Sequence, residues 1–323
     1  VTGATGSFGH KFIQMTLAKY KPVKIIVFSR DEMKQWDMAQ KYQNEPRVRF
    51  FIGDVRDRER LYRAFDGVDY VVHAAALKQV PAAEYNPHEF IKTNVDGATN
   101  VVEASLQAGV QKVVALSTDK AVNPVNLYGA TKLCSDKIFV AANSYSGEGG
   151  TIFSVVRYGN VVGSRGSVVP LFASQRNTGS LTITNPDMTR FLITLERGVE
   201  FVLECLEGMV GGELFVPKIP ACTVGDIAQV IAPDCKWSTI GLRPGEKMHE
   251  ILIPEDESRN VLEFENQYVV QPIQSFWGNK IGILGGVSSS DGFKYASNCN
   301  CENLSKKELE ALLIDFLPEI KTS

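Results

Sequence analysis

Ser117-Thr118-Asp119-Lys120 and, shortly after, Tyr128-Gly129-Ala130-Thr131-Lys132 gather hydroxyls, a carboxylate, two amines and a phenol in one short stretch. A hydroxyl, an acid and an amine side by side can move protons. A phenol and an amine spaced i and i+4 on a helix point the same way. For Tyr128 to serve as a base near neutral pH, its pKa must fall from about 10 by roughly 2 to 3 units, at a cost of about 3 to 4 kcal/mol. One neighbouring ammonium, that of Lys132, seldom supplies so much. An oxidised nicotinamide ring would add a second positive charge, so the pair argues for a dinucleotide lying alongside. An isolated Tyr-x-x-x-Lys is more often a packed tyrosine beside a solvated lysine, and the weight of the reading comes from the elements around it.

The short β-branched run at 112–116 predicts a buried strand whose carboxyl end delivers the cluster, the place where open α/β sheets bind ligands. The chain opens on Thr2-Gly3-Ala4-Thr5-Gly6-Ser7-Phe8-Gly9, glycines at three-residue spacing before a helix-like run, as a pyrophosphate-binding turn requires. The apolar strand 25–28 then ends in Ser29-Arg30, where an NAD site would usually carry an acid. An arginine and a hydroxyl there, with Lys34 on the following helix, suit the 2′-phosphate of NADP. Further strands are expected at 48–52, 70–73, 112–116, 152–156 and 213–216, alternating with helices near 9–20, 32–42, 58–65, 87–108, 128–143 and 195–207. Such alternation predicts a Rossmann-like, doubly wound parallel α/β sheet. Past Gly159 the rhythm turns irregular, so residues 1–162 are expected to bind the dinucleotide. Residues 163–323 should form mainly a smaller substrate lobe, with 191–217 returning to the first domain.

With 323 residues the chain can hold both parts around a substantial core, and 34 basic against 37 acidic residues give a charge of −3, which offers no bulk attraction to nucleic acid or anionic membrane. No apolar run approaches the ~20 residues of a membrane span. Six cysteines (Cys134, Cys205, Cys222, Cys235, Cys299 and Cys301) lack a Cys-x-x-Cys pair and read as free thiols of a cytoplasmic protein. His10, His73, His88 and His249 show no zinc spacing and receive no catalytic role. No metal site is expected. Ser305 and Glu308 have capping-box spacing before a final helix. Val1 stands directly before the glycine turn, so most of an expected first strand is absent, and a truncated sequence is the expectation.

Taken together, the glycine turn, Ser29-Arg30-Asp31-Glu32, Gly53-Asp54-Val55-Arg56-Asp57, His73-Ala74-Ala75-Ala76-Leu77-Lys78, Ser117 to Lys120, Tyr128 to Lys132, Val161-Val162-Gly163-Ser164-Arg165-Gly166-Ser167 and Arg243-Pro244-Gly245-Glu246-Lys247 resemble extended short-chain dehydrogenase/reductases. More narrowly, they are similar to the soluble, C5-inverting UDP-N-acetylglucosamine 4,6-dehydratases that open pseudaminic acid and related amino-sugar pathways. The resemblance runs into the final helix. It departs at the missing first strand and at Gln79, where histidine is frequent in the family. It implies that Tyr128 takes the proton of the sugar 4-hydroxyl while hydride passes to NADP, with Lys132 on the nicotinamide ribose. Lys120 is then the C5 base, Asp119 the acid for the departing C6 hydroxyl, and Thr118 their catalytic neighbour. That assignment needs a pocket that opposes an ordinary Asp119–Lys120 salt bridge, with Lys78 or the nicotinamide pushing Lys120 toward the free amine.

The resemblance further implies Gly3, Gly6, Ser7, Phe8 and Gly9 at the pyrophosphate, Ser29, Arg30 and Lys34 near the 2′-phosphate, and Asp54 and Val55 at the adenine. Ala74, Lys78, Leu116, Ser117, Tyr128 and Lys132 follow along the nicotinamide side. For the UDP-sugar it implies Lys78, Asn160, Arg165, Ser167, Thr194, Arg243 and Glu246. It also implies a homo-oligomer, a hexamer first, built on the helices near 87–108 and 128–143.

Three rivals share parts of this pattern. A UDP-hexose 4-epimerase uses the Tyr-Lys pair without needing an adjacent acid and amine, and a C5-retaining dehydratase would carry an acidic base where Lys120 stands. An NADP-sensing module would need only the glycine turn. Larger membrane-bound relatives often carry methionine at the position of Tyr128. The cofactor reading yields an expected outcome: Arg30→Ala should weaken NADP binding about tenfold or more while sparing NAD, since a charge-assisted contact is worth about 1.5 to 3 kcal/mol. Equal affinities for the two dinucleotides in wild-type titrations would reject it.

Overall fold

The structure, a computed structural model, describes residues 1–147, 149–164, 166–273, 285–299 and 302–317. The chain starts in an alternating series: α1 (Ser7–Lys19), β1 (Ile25–Ser29), α2 (Glu32–Lys41), β2 (Val48–Ile52), α3 (Arg58–Phe65) and β3 (Tyr70–His73). The helix starts follow from their caps. Asp31 accepts from the Lys34 amide and Asp57 from the Arg60 amide, satisfying donors that a helix leaves open. Val1 and Thr2 lie between β1 and β3, Thr2 bridging in parallel to both Phe28 and His73. The Thr2 amide donates to Val72 O and the Phe28 amide to Val1 O, each at 3.0 Å. These two residues join the β1–β2 pair to the main sheet in the place expected of a first strand.

Next come α4 (Val80–Tyr85), α5 (Pro87–Ile91), a π-helical turn at Lys92–Asp96 and α6 (Gly97–Ala108). The single helix expected over 87–108 is therefore interrupted. Asn94, in the π turn, accepts from the Leu77 amide at 2.8 Å and donates to Leu77 O at 2.9 Å and Thr131 Oγ1 at 3.0 Å. The helix widens where one side chain ties the loop after β3 to the helix carrying Tyr128, and such π insertions favour functional sites. β4 (Lys112–Thr118) runs two residues past its expected end. A 3₁₀ turn follows at Asp119–Ala121, then α7 (Leu127–Ala142), β5 (Ile152–Tyr158) and β6 (Asn160–Val161).

The rest comprises α8 (Val168–Gln175), β7 (Ser180–Ile183), β8 (Thr189–Ile193), α9 (Leu195–Gly208), β9 (Leu214–Pro217), β10 (Ala221–Thr223), α10 (Val224–Ile231), β11 (Lys236–Thr239), β12 (Ile251–Ile253), β13 (Val261–Glu263), β14 (Gln267–Val270), β15 (Val287–Ser288), β16 (Tyr295–Ala296) and α11 (Lys306–Leu312). The main sheet has the order β15-β13-β14-β9-β5-β4-β3. Its strands β3, β4, β5 and β9 are parallel, while β14, β13 and β15 extend the edge in antiparallel fashion. α3, α6 and α7 pack as one helical group and α1 on α9 as another, giving the doubly wound α/β sheet that the alternation predicts. β8 pairs with β6 and β10, and β7 with β11, outside the main sheet. Ser305 and Glu308 form a complete capping box at α11.

The central strands are buried on both faces, so Val113, Val114, Phe153, Val155, Phe215 and Val216 read as continuous apolar runs. Each large side chain fully withdrawn from water contributes about 1.5 to 3 kcal/mol. A second cluster, including Phe172, Leu181, Ile183, Met188, Leu192, Ile227 and Leu309, holds the smaller part together. No helix among the described residues is long and apolar enough to cross a membrane.

His73 ends β3 only 1 % exposed, its Nδ1 2.8 Å from Thr2 Oγ1 and its ring beside Phe139. Burial, with the Lys132 charge second, depresses its pKa to about 3. A base whose folded pKa lies below its unfolded value of about 6.5 adds stability that is full above that value and drains away as pH falls toward the folded one. Urea unfolding should therefore show wild type losing roughly 3 to 5 kcal/mol more than His73→Gln between about pH 6.5 and pH 3. Parallel curves for the two proteins would refute this.

Candidate active site

The cluster that opens the sequence argument converges on the carboxyl end of β4. The Thr118 hydroxyl donates to Asp119 Oδ1 at 3.0 Å, and Lys120 Nζ donates to the same oxygen at 2.9 Å. α7 is brought close by Gly129: a Cβ there would stand 2.1 Å from Lys120 O. Asn126 caps the helix, accepting from the Gly129 amide at 2.8 Å, and donates to Gly245 O at 2.8 Å, so the segment holding Arg243 and Glu246 is tied to the start of the same helix. Lys132, one turn beyond Tyr128, donates to Leu116 O at 2.7 Å. Behind it Asp136 accepts from Ser117 Oγ at 2.7 Å and lies 3.6 Å from the buried Arg157, which pairs with Glu257 at 3.0 Å.

A cavity of about 830 Å³ runs from the glycine turn to these groups and on to the smaller part of the molecule. Gly3, Gly6, Ser7, Phe8, Ser29, Arg30, Lys34, Asp54, Val55, Ala74, Lys78, Leu116, Ser117, Thr118, Lys120, Tyr128, Lys132, Asn160, Ser167, Arg243 and Glu246 all line it. Gly9, Thr194 and Asp119 are placed differently. Gly9 does not face the cavity: a Cβ there would meet Ala4 O at 2.1 Å, so its role is close packing of α1 on the turn. Thr194 does not face it either. Its hydroxyl accepts from the Arg197 amide at 3.1 Å as the cap of α9. Asp119 is fully buried and meets Thr118 and Lys120 rather than the open space. Arg165 lies outside the described residues.

The cationic end is more balanced than Arg30 and Lys34 alone imply. Lys34 Nζ lies 2.7 Å from Asp31, and Arg30 lies 3.7 Å from Asp54, whose carboxylate is also held by Arg56. Ser29 Oγ is 2.8 Å from Thr5 Oγ1. The start of α1 offers what a pyrophosphate needs: no side chain caps it and no acid stands in its first turn, so its amides and dipole are available to an anion. At the other end Asn160 Oδ1 and Ser167 Oγ are buried without a hydrogen-bond partner in the protein, as fits a wall built for a polar ligand.

Burial pushes the Tyr128 phenol up to about 12, while the Lys120 charge and a hydrogen bond with Thr118 pull it down. The charge that lowers the phenol here is that of Lys120; burial lowers the Lys132 amine, with Asp136 opposing. Lys120 is not a ready free amine. Burial would lower its pKa, but Asp119 and Glu250 more than reverse that and hold it above the ordinary lysine range. The expected push from Lys78 does not prevail; burial and then Lys120 lower Lys78 instead. Lys120, whose side chain remains 25 % exposed, sits 3.5 Å from Glu250 Oε1.

Sequence reasoning missed Glu250, Arg190 and Tyr158, all in the cavity wall; no motif spacing marks them, whereas Lys247, also in the wall, stands in a quoted motif without having been given a role. Asn94 and Gly129 were legible only as helix residues. Gln79, the family departure, stands at the start of α4 without a side-chain capping bond, and a Cβ on Gly166 would stand 2.8 Å from its Nε2. Cys134, Cys205, Cys222, Cys235 and Cys299 are free; Cys301 lies outside the described residues. No group of His, Cys, Asp or Glu among the described residues could hold a metal ion.

A parallel sheet with a glycine turn at its first crossover and a Tyr-x-x-x-Lys helix beside the end of β4 defines an extended short-chain dehydrogenase/reductase. Within that class the chain belongs to the polysaccharide biosynthesis protein family, whose profile matches residues 1–272. A UDP-N-acetylglucosamine 4,6-dehydratase (inverting) of Campylobacter jejuni subsp. jejuni is 54% identical over 317 residues, 96% of this chain and 95% of its own. A UDP-glucose 4-epimerase of Rickettsia akari is 45% identical over 265 residues, 80% of this chain and 77% of its own. The X-ray structure of Pen from Bacillus thuringiensis superposes with a TM-score of 0.89 at 34% identity, covering 97% of this chain and 96% of that one.

The two glycine positions give a contrasting expectation. Gly9→Ala should cost about 1 to 3 kcal/mol or more through overpacking, whereas Gly6→Ala, whose Cβ would meet only Gly3 O at 3.3 Å, should cost less. Urea midpoints of the two variants check the order, and equal midpoints would contradict it.

Proposed function

We propose that this protein removes water from UDP-N-acetylglucosamine, giving a 4-keto-6-deoxy sugar inverted at C5 (L-arabino), with NADP as resident cofactor. The observation that carries the reading is the Asp119–Lys120 ion pair beside Tyr128 at the inner end of one long cavity. The 54% identical dehydratase supports it. A 4-epimerase, the name borne by the Rickettsia relative, has no use for a buried acid–amine couple next to its tyrosine. We assign residues 1–162 chiefly to the dinucleotide and the second apolar cluster to the sugar lobe.

The glycine turn, the open start of α1, Arg30 and Lys34 would hold the dinucleotide, which supplies a hydride acceptor at C4 and, after elimination, a hydride donor at C6. Tyr128 takes the 4-hydroxyl proton. Because burial holds its phenol high, it needs the Lys120 charge as well as any on the ring beside it. Lys132 spends one of its three N–H donors on Leu116 O, leaving two for ribose hydroxyls. A C4 ketone acidifies the C5 proton. The Lys120 ammonium first passes a proton along its hydrogen bond to Asp119, which yields at one stroke a neutral amine and a protonated acid. The amine takes the C5 proton, the electron pair forms the C5–C6 double bond, and the C6–O bond breaks as Asp119 returns its proton to the leaving hydroxyl. Water departs and the ion pair is restored; once C6 is reduced, C5 takes a solvent-derived proton from the face opposite Lys120, which inverts it. Asp119 reaches that hydroxyl once the neutral Lys120 releases it. Asn160, Ser167 and Arg243 would bind the nucleotide end.

The product would enter pseudaminic acid or related amino-sugar synthesis in the cytoplasm. A homo-oligomer, a hexamer first, belongs to the same proposal.

In deuterated water the enzyme should place deuterium at C5 of an L-arabino product. Lys120→Ala should bind NADP but lose dehydration by about 10² to 10⁴-fold, the usual worth of a general base; Tyr128→Phe should fail earlier, with no hydride transferred. Near-normal dehydration by Lys120→Ala, or a D-configured product, would sink the assignment.

A further inference from the structure

We propose that Glu250 completes a buried proton-holding group with Asp119 and Lys120, as a positioning residue that fixes the pH range in which the pair carries the single proton its chemistry needs. The role rests on the dehydratase reading above; the geometry stands without it. Glu250 is 3 % exposed and lines the cavity. Its Oε1 lies 3.5 Å from Lys120 Nζ and 3.9 Å from Arg190 Nε. Its Oε2 and Asp119 Oδ2 are both buried without a hydrogen-bond partner in the protein. The backbone of Glu250 is clamped from beyond β16: its amide donates to Ser297 Oγ at 2.9 Å and the Ser297 amide donates to Glu250 O at 2.9 Å. Lys120 is thus gripped from one side by its own turn and from the other by a residue some 130 positions later in the chain.

The chemistry explains why a third group is wanted. With two protons on the Asp119–Lys120 pair there is no base for C5, and with none there is no acid for the leaving hydroxyl. The pair works with one, and its titration belongs to the pair as a whole. A carboxylate 3.5 Å from the amine favours retention of that proton. Arg190, Lys78 and Lys247 oppose it from β8, the loop after β3 and the segment before Glu250; Tyr128 faces Lys120 from α7. His249 is engaged with Thr189 Oγ1 at 2.8 Å. Glu250 therefore displaces both limits of the working range toward higher pH, and it keeps Lys120 cationic while Tyr128 gives up its proton.

The test uses the full chain as Glu250→Gln and Glu250→Asp. Amine acetylation by acetic anhydride as a function of pH, with Lys120 followed by peptide mass spectrometry, needs neither cofactor nor substrate. In Glu250→Gln the labelling midpoint of Lys120 should fall by about one unit or more, with exposed lysines such as Lys21 unchanged. Glu250→Asp should show a smaller fall in the same direction, which keeps the test open if the Gln variant does not fold. Turnover should follow, both limbs of its pH profile moving to lower pH together. An unchanged Lys120 midpoint in folded protein overturns the inference. A wild type without dehydratase activity, by contrast, overturns the proposed function and leaves the labelling result standing.

Discussion

The contact between the start of α7 and the 3₁₀ turn after β4 is the constraint on which the site depends. It requires glycine at position 129, because any side chain would collide with the carbonyl of Lys120. Through it the phenol of Tyr128 comes under the Lys120 charge, and the Asn126 cap brings the Arg243–Lys247 segment to the same place. Asn94 reinforces the approach from the other side by binding both Leu77 and Thr131. The interrupted helix around it is the local cost of that bond.

Two buried charge groups sit on either side of this contact. Asp119, Lys120, Glu250 and Arg190 form one, and Lys132, Asp136, Arg157 and Glu257 the other. Burying a charge without a partner is costly, and removing one member of such a group leaves the rest uncompensated. Each group joins the first half of the chain to residues beyond 245, since Arg157 also donates to Leu252 O at 2.9 Å. The charges around the cavity are thus also those that dock the later part of the chain. Burial raises the Asp136 carboxyl, with Arg157 and Lys132 opposing, so this second group is held in a balance of the same kind as the first.

What the sequence determined by itself is the part governed by local rules. The alternation of strands and helices, the glycine turn, the cap at Ser305 and the Tyr128–Lys132 spacing all depend on residues within a turn or two of one another, and these stand as the periodicity requires. Even the stub at Val1 and Thr2 takes the central position that the topology demands. Tertiary structure decided what long-range encounters control. Gly9 and Thr194 fit binding motifs by type, yet Ala4 and the Arg197 amide claim them. Lys120 carries an amine whose charge depends on Asp119 beside it and also on a carboxylate that no spacing links to it. Only the fold sets Glu250 within 3.5 Å of that amine, where it joins Asp119, the nearer and stronger partner, in holding the proton on Lys120.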